Sequence, residues 1–364
     1  MAQNTTGLSH DFIIHPGETL AEVLEDKGMK QNELASRTGM TPKHISTIVN
    51  CEKPISTSFA KKLEYVLGID SSFWINLQAN YDKELSDFQE INKIDREEFR
   101  ILRFLKKQVV PYLCTLGRVN QNDDDAARIL DLRKLLRVSN LTLIKGIAYN
   151  AVYRAQLSTD INVYVLFAWQ RICEILTNDI VVENKINIEK LITKIPEIKA
   201  LMFRDPNEMR DHLIRIFADC GIAFQIVPNF KGAPVQGFIK ESENNRIILC
   251  MTIRQKFADR FWFTLFHEIA HLMNGDVKQP FIDFNSVENE AENLADNYAG
   301  DQLLDPEKYS EFVDKCDFSL SSIRLFAEKE NVRPFIVIGR LKKEGHLAWS
   351  AHQKEMMKYE WCIG

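Results

Sequence analysis

The tightest constraint on how this chain folds is a pair of histidines set four residues apart inside an apolar run. That run is Phe261-Trp262-Phe263-Thr264-Leu265-Phe266-His267-Glu268-Ile269-Ala270-His271-Leu272-Met273-Asn274-Gly275. Its apolar residues fill one side at helical spacing, and Gly275 supplies the residue that commonly stops a helix. On such a helix His267 and His271 share a face, so two imidazole nitrogens converge on one ion, with Glu268 beside them. An ion held there acidifies water, and a neighbouring carboxylate takes the proton and hands it to a leaving amine. The chemistry outlined is peptide-bond hydrolysis, with Glu268 as the catalytic base. The plain alternative is a core helix that carries its histidines for packing alone.

Two histidines leave a metal site incomplete, because a catalytic zinc usually has three protein ligands and one open position. The best third ligand is Glu292, in the helical run Glu292-Asn293-Leu294-Ala295-Asp296-Asn297-Tyr298-Ala299. Asp296 follows one turn later on the same face, placed to accept the remaining N–H of a ligating histidine and fix its tautomer. Glu288 and Glu290 remain nearby competitors for the third position.

The runs from Thr252-Ile253-Arg254 to His267-Glu268-Ile269-Ala270-His271, and Leu294-Ala295-Asp296-Asn297-Tyr298-Ala299, resemble the ImmA/IrrE metallopeptidases. The resemblance implies a zincin-like α+β domain in which His267, His271 and Glu292 hold Zn2+ and Glu268 is the general base. Two departures stand out: Leu294 occupies a position where many relatives have an acid, and Asp305-Pro306 replaces a common Met-Pro or Pro-Pro. The donor set itself also admits other divalent ions.

A second motif lies near the start. Pro16-Gly17 marks an entry turn, and Leu20, Val23 and Leu24 recur at helical spacing. Then Gln31 to Asn50 meets the demands of a helix-turn-helix in turn. Ala35 is small enough for a steep helix crossing, and Gly39 tolerates the positive φ of the turn. Thr41 caps the second helix, Pro42 suits its first position, and Ile45, Ile48 and Val49 pack inward. Lys43, His44, Ser46, Thr47 and Asn50 are left outward, short and polar, suited to base edges in a major groove. Thr41 and Pro42 open that helix and count with the DNA-facing set, as does Gln31, whose amide is placed for a phosphate.

Composition bears on this reading. The chain as a whole is acidic, with a formal net charge of −5, yet residues 28 to 63 hold six Lys or Arg against two Glu, a balance of +4. A local phosphate-facing patch is therefore indicated within an acidic protein. A helix capped by Ser56 and another capped by Ser71, running to Tyr81, complete five helices. From His15-Pro16-Gly17-Glu18 to Phe73-Trp74-Ile75-Asn76-Leu77-Gln78-Ala79-Asn80-Tyr81 the segment resembles the HigA family of Xre-type antitoxins. That resemblance implies operator DNA bound as a homodimer and a cognate toxin as partner, and makes His15 structural.

The reading as a whole is mainly α with a small β-sheet. It comprises a five-helix DNA-binding domain over 1–81, a helical connector over 82–200, and the peptidase domain over 201–364. Within the connector, Tyr153 and Trp169 read as core aromatics. Ile222 to Pro228, Gly237 to Lys240 and Arg246 to Met251 read as strands, the last two paired around a polar turn. Seven cysteines without a C-x-x-C pair point to a reducing compartment, and no apolar run approaches membrane-spanning length, so a cytoplasmic protein without a membrane partner is indicated. Together these point to a DNA-binding regulator that cuts a repressor, a partner or itself. The rival is a non-catalytic HigA-type repressor whose metal domain serves as a sensor or toxin-docking module.

Overall fold

In the computed structural model, which describes residues 13–147, 161–182, 185–241, 246–275, 281–282 and 290–361, helix α1 (Pro16–Asp26) starts on His15. The imidazole Nδ1 of His15 accepts from the Gly17 amide at 2.9 Å, and the Glu18 carboxylate accepts from the His15 amide at 3.4 Å. Each reciprocal bond satisfies a backbone donor that the first turn would otherwise leave open. Gly17 has a second role: a Cβ there would stand 2.0 Å from the Ile48 carbonyl oxygen, so only glycine lets α1 lie this close to the third helix.

Helices α2 (Gln31–Thr38) and α3 (Pro42–Val49) meet at Gly39, whose φ of +66° makes the sharp turn. Thr41 caps α3 by accepting from the His44 amide at 3.2 Å, and Ser56 caps α4 (Thr57–Leu67) through Phe59. Leu34, Ile45, Ile48, Phe59, Leu63 and Trp74 close a small core, each fully buried. At about 1.5–3 kcal/mol per buried large side chain, these positions supply most of the drive for the bundle.

Two expectations about the next helix change. The cap of α5 (Ser71–Asn92) is Asp70, whose Oδ1 accepts from the Ser72 amide at 2.7 Å, and Ser71 is already helical. The helix also continues past Tyr81 to Asn92, since no Gly or Pro interrupts 71–92. Inside it, Gln78 is buried because its Oε1 accepts from the Ile55 amide at 2.9 Å and its Nε2 donates to Asp82 at 2.8 Å. Beyond come α6 (Arg96–Leu105), α7 (Val109–Thr115) and α8 (Asp125–Leu136). Arg133 on α8 forks onto Glu98 of α6 at 2.9 and 2.5 Å and reaches Glu90 of α5 at 3.2 Å. Glu98 has no exposed surface, so this fork holds a carboxylate that water does not reach.

The chain divides into two compact units, Met1–Arg103 with Leu113–Lys134, and Phe104–Tyr112 with Leu135–Gly364. The stretch 82–200 contributes to both. In the second unit, α9 (Val163–Asn178), α10 (Ile188–Ala200) and α11 (Pro206–Asp219) precede the sheet. Trp169 is core as read, fully buried with its Nε1 donating to the Pro228 carbonyl at 2.9 Å; Tyr153 lies outside the described residues.

Strands β1 (Ile222–Ile226), β2 (Gly237–Glu241), β3 (Ile247–Met251) and β4 (Phe281–Ile282) form one sheet in the order β1-β3-β2-β4. β2 and β3 pair antiparallel with Gly237 opposite Met251, as the sequence suggests, whereas β1 runs parallel to β3; the turn at 242–245 lies outside the described residues. Every residue of β3 is buried, as a central strand covered on both faces requires. Helices α12 (Ala258–Asn274), α13 (Glu290–Leu303), α14 (Pro306–Asp314), α15 (Leu320–Lys329) and α16 (Pro334–Lys343) complete the unit, and the protein is mainly α with a small sheet. Cys173, Cys220 and Cys250 are buried thiols, while Cys362 lies outside the described residues. Among the described residues no helix is long and apolar enough to cross a membrane.

His15 yields a pH prediction. Burial lowers its pKa below the ordinary 6.5, against the opposing pull of Glu18 and Asp82, and the neutral ring is the form that accepts from Gly17. A depressed folded pKa means the contribution is complete above about 6.5 and is lost as pH falls below it. Amide-exchange protection of α1, corrected for intrinsic rates, should therefore drop between about pH 7 and pH 5. His15→Asn, which keeps an acceptor but does not titrate, should flatten that profile, and an unchanged slope would refute the role.

Candidate metal centre and DNA-facing helix

Helix α12 carries the histidines into the core of the second unit. Its first turn is fastened by the C-terminal segment: the Ala258 amide donates to the Met357 carbonyl at 2.9 Å and Trp262 Nε1 to the Tyr359 hydroxyl at 3.0 Å. Its last turn ends on Gly275 with φ +77°. Between these ends His267, Glu268 and His271 are 5%, 0% and 1% exposed.

The three donors read from the sequence come together. His267 Nε2 stands 3.0 Å from His271 Nε2 and 3.2 Å from Glu292 Oε2, and His271 Nε2 stands 3.6 Å from Glu292 Oε1. Donors around a tetrahedral zinc, with bonds of about 2.0–2.1 Å, lie about 3.3–3.4 Å apart. The shortest separations, two of them to different oxygens of Glu292, straddle that value, and the two imidazoles and the carboxylate could hold one divalent ion. Asp296, one turn after Glu292 on α13, takes a hydrogen bond from His267 Nδ1 at 2.8 Å. With Nδ1 assigned as donor from that partner, Nε2 presents its lone pair toward His271 and Glu292.

Burial pushes the Glu292 carboxyl up, but the imidazoles of His267 and His271 beside it outweigh burial and hold it at about 2. For Asp296 burial likewise raises and the bonds to His267 and Lys343 lower, with a net fall. Glu288 lies outside the described residues, and for Glu290 only the helical backbone is described.

Glu268 is placed by Gly237, a residue that the sequence marks only as the start of a strand. A Cβ on Gly237 would stand 1.7 Å from Glu268 Oε1 and 2.3 Å from its Cδ, so the first residue of β2 is the notch that seats this carboxylate. The approach to that notch is pinned: Thr264 Oγ1 donates to Gln236 Oε1 at 3.3 Å, and Thr252 Oγ1 donates to the Val235 carbonyl at 2.7 Å. No pattern of spacing flags Gly237, since its role appears only when β2 and α12 are set side by side.

Among the other side chains able to donate to an oxyanion, two histidines have neighbours of their own. His352 Nε2 lies 3.0 Å from the Phe318 carbonyl, and His346 stands by Glu344 at 3.7 Å. Tyr298 is half-buried, with its hydroxyl pKa raised by that burial. His212 is a half-buried helix residue bonded to the Glu208 carbonyl. The two departures from the family pattern are benign in place: Leu294 is 57% exposed, and Asp305-Pro306 starts α14, with Asp305 Oδ1 accepting from the Lys308 amide at 3.0 Å.

On the helix-turn-helix, Gln31, Thr41, Pro42, Lys43 and Asn50 are exposed, and Ser46 and Thr47 are half-exposed. Thr41 is engaged as a cap, and Asn50 Nδ2 donates to Ser46 Oγ at 3.3 Å, which presents those two as one polar unit. His44 departs from the outward set: it is half-buried, with its ring edge-on to Phe59 at 6.1 Å. Of the basic patch, Arg37 pairs with Glu33 and Lys61 with Glu64, while Lys30, Lys43 and Lys53 have no carboxylate partner among the described residues. Those three are the cations best disposed for phosphate.

Comparison with known proteins agrees with this part of the chain. Residues 20–74 match the helix-turn-helix family model. Virulence-associated protein I of Dichelobacter nodosus is 36% identical over 84 residues, 22% of this chain and 78% of that protein. An uncharacterized HTH-type transcriptional regulator, YbaQ of Escherichia coli, is 35% identical over 68 residues, 18% of this chain and 60% of that protein. Among solved structures, a HigA-family addiction module antidote protein from Coxiella burnetii shows 31% identity, covering 27% of this chain and 97% of that one, at a TM-score of 0.21. The Pseudomonas aeruginosa antitoxin HigA with the higBA promoter shows 27% identity, covering 23% and 96%, also at 0.21. Scores at this level establish no common fold for the whole chain.

The Gly237 notch predicts a specific double-mutant result. Gly237→Ala must displace the fully buried Glu268 carboxylate, so it should destabilise the full chain by about 1–3 kcal/mol. Adding Glu268→Asp, one methylene shorter, should recover most of that loss in thermal or urea unfolding. An Ala variant as stable as the original chain would show that the notch is not required.

Proposed function

This chain belongs, through its N-terminal region, to the helix-turn-helix family, and from that premise we propose a DNA-binding transcriptional regulator of antitoxin type that carries a zinc-dependent endopeptidase. The observation that carries the enzymatic half is the convergence of His267, His271 and Glu292 beside the buried Glu268. Within this reading the second unit is the ImmA/IrrE-like domain that the sequence resembles, and cleavage of a repressor, a partner protein or this chain itself changes transcription. The operator-binding half draws support from the helix-turn-helix match over residues 20–74, from the polar face of α3 and from the Lys30, Lys43 and Lys53 cations. A cognate toxin and a homodimer belong to the same reading.

Held by His267, His271 and Glu292, a zinc ion would supply Lewis-acid chemistry. The chain's own residues do the rest. His267 and His271 donate neutral ring nitrogens, Glu292 brings a negative charge, and Asp296 fixes the His267 tautomer. Glu268 accepts a proton from the attacking water and returns it to the amine nitrogen as the peptide bond breaks. The apolar wall of α12 around it keeps that carboxylate from dispersing its charge into solvent.

A second reading keeps the ion but makes the unit a sensor or toxin-docking module. It is favoured by the complete burial of Glu268, which leaves no surface for a substrate to meet without movement. Glu268→Gln separates the two: under the first reading it abolishes cleavage of a captured partner pool and spares zinc content and operator binding. Repression and its relief that are unchanged in that variant would rule proteolysis out.

For the DNA half, Lys43→Ala should weaken binding evenly across operator sequences and flatten the salt dependence of log K by about one phosphate contact. A loss confined to one base position would instead make Lys43 a base reader.

A further inference from the structure

The three donors sit on two helices, two on α12 and one on α13, so the geometry of the cluster is only as good as the spacing of those helices. The last helix, α16, touches both. Gly339 packs on α12, where a Cβ would stand 2.4 Å from Asp259 Oδ2. Arg340 donates to the Gly300 carbonyl of α13 at 3.1 Å. One turn on, Lys343 places its ammonium 4.3 Å over the Phe263 ring of α12 and 3.1 Å from Asp296 Oδ2 of α13. The other oxygen of that carboxylate, Oδ1, is the one that accepts from His267.

We propose that Lys343 is a positioning residue for the metal centre: it bridges Phe263 and Asp296, and so fixes the carboxylate that orients His267 together with the separation between α12 and α13. This rests on the reading that His267, His271 and Glu292 hold an ion. Phe263 precedes His267 by one helical turn and Asp296 follows Glu292 by one, so the bridge sits one turn away from the donors on each helix. A cation over an aromatic face that also bonds a carboxylate is held in two directions, which a lone surface pair is not. Lys343 touches none of the donors, and its side chain is 61% exposed, so replacing it leaves the core intact.

The test measures zinc affinity of the full-length chain by competition with a chromophoric chelator, alongside the unfolding temperature of the zinc-free protein. Lys343→Met should weaken zinc about 3- to 10-fold, less than the roughly 10- to 100-fold typical for a direct partner of a ligating histidine, and leave the zinc-free unfolding temperature unchanged. Lys343→Arg, which keeps both contacts, should restore most of the affinity, and Phe263→Leu should lose part of it. In an Asp296→Asn background Lys343→Met should add nothing further, because its effect runs through that carboxylate. Affinity within about twofold of the original chain in Lys343→Met, or an equal loss in the Asp296→Asn background, overturns the positioning role while the metal site stands. An original chain that binds no zinc removes both.

Discussion

Burying three ionisable side chains on one turn of an apolar helix is the constraint to which the second unit answers. His267, Glu268 and His271 lie among Trp262, Leu265, Phe266, Ile269 and Leu272, all essentially without exposed surface. Ionisable groups in such surroundings are costly unless each polar atom meets a partner. Three elements hold the helix that carries them. α13 brings Glu292 and Asp296 to the imidazoles, β2 offers Gly237 as a recess for Glu268, and the C-terminal segment holds the helix start through Met357 and Tyr359. A rotation of α12 by one residue would turn the histidines away from α13 and face apolar side chains to Glu292. The register of that one helix is therefore coupled to nearly every element packed on it.

The first unit solves a different problem, that of a small bundle with little core to spare. Its precision lies in backbone bonds at helix ends: His15 and Glu18 at α1, Thr41 at α3, Ser56 at α4 and Asp70 at α5. Each cap is worth about 1 kcal/mol, comparable in sum to a pair of buried leucines. Such a bundle keeps α3 rigid with few large side chains, which suits a helix that must present short polar groups at a fixed spacing.

Much of this was legible in the chain, and the reason is that local chemistry specified it. Gly39 and Gly275 announce left-handed caps, Thr41-Pro42 announces a helix start, and the four-residue spacing of His267 and His271 needs nothing but helix geometry to be read. Glu292 and Asp296 could be paired with them because they too share one helix face. What stayed hidden depends on packing between elements. Gly237 looks like any loop glycine until Glu268 lies on it, and Lys343 looks like any surface lysine until α16 is laid across α12 and α13. Ser71 and Asp70 are equally good capping residues one position apart, so only the backbone decides between them. His44 is as polar as its outward neighbours, but its ring turns to Phe59. Strand order was equally out of reach, since β3 pairs parallel with a strand before it and antiparallel with β2 by register alone.

The continuity of α5 limits how the chain tolerates changes in length. Gln78 near its start is locked to the Ile55 backbone, and Glu90 near its end meets Arg133. Both anchors ride on one uninterrupted rod of 22 residues, about 33 Å long at 1.5 Å per residue. Adding or deleting a single residue between them would swing the far anchor by about 100° around the axis, whereas a change of seven residues would return it almost to phase. Variation in length within this segment is thus quantised by the helical repeat, while the connections on either side, outside the rod, carry no such phase.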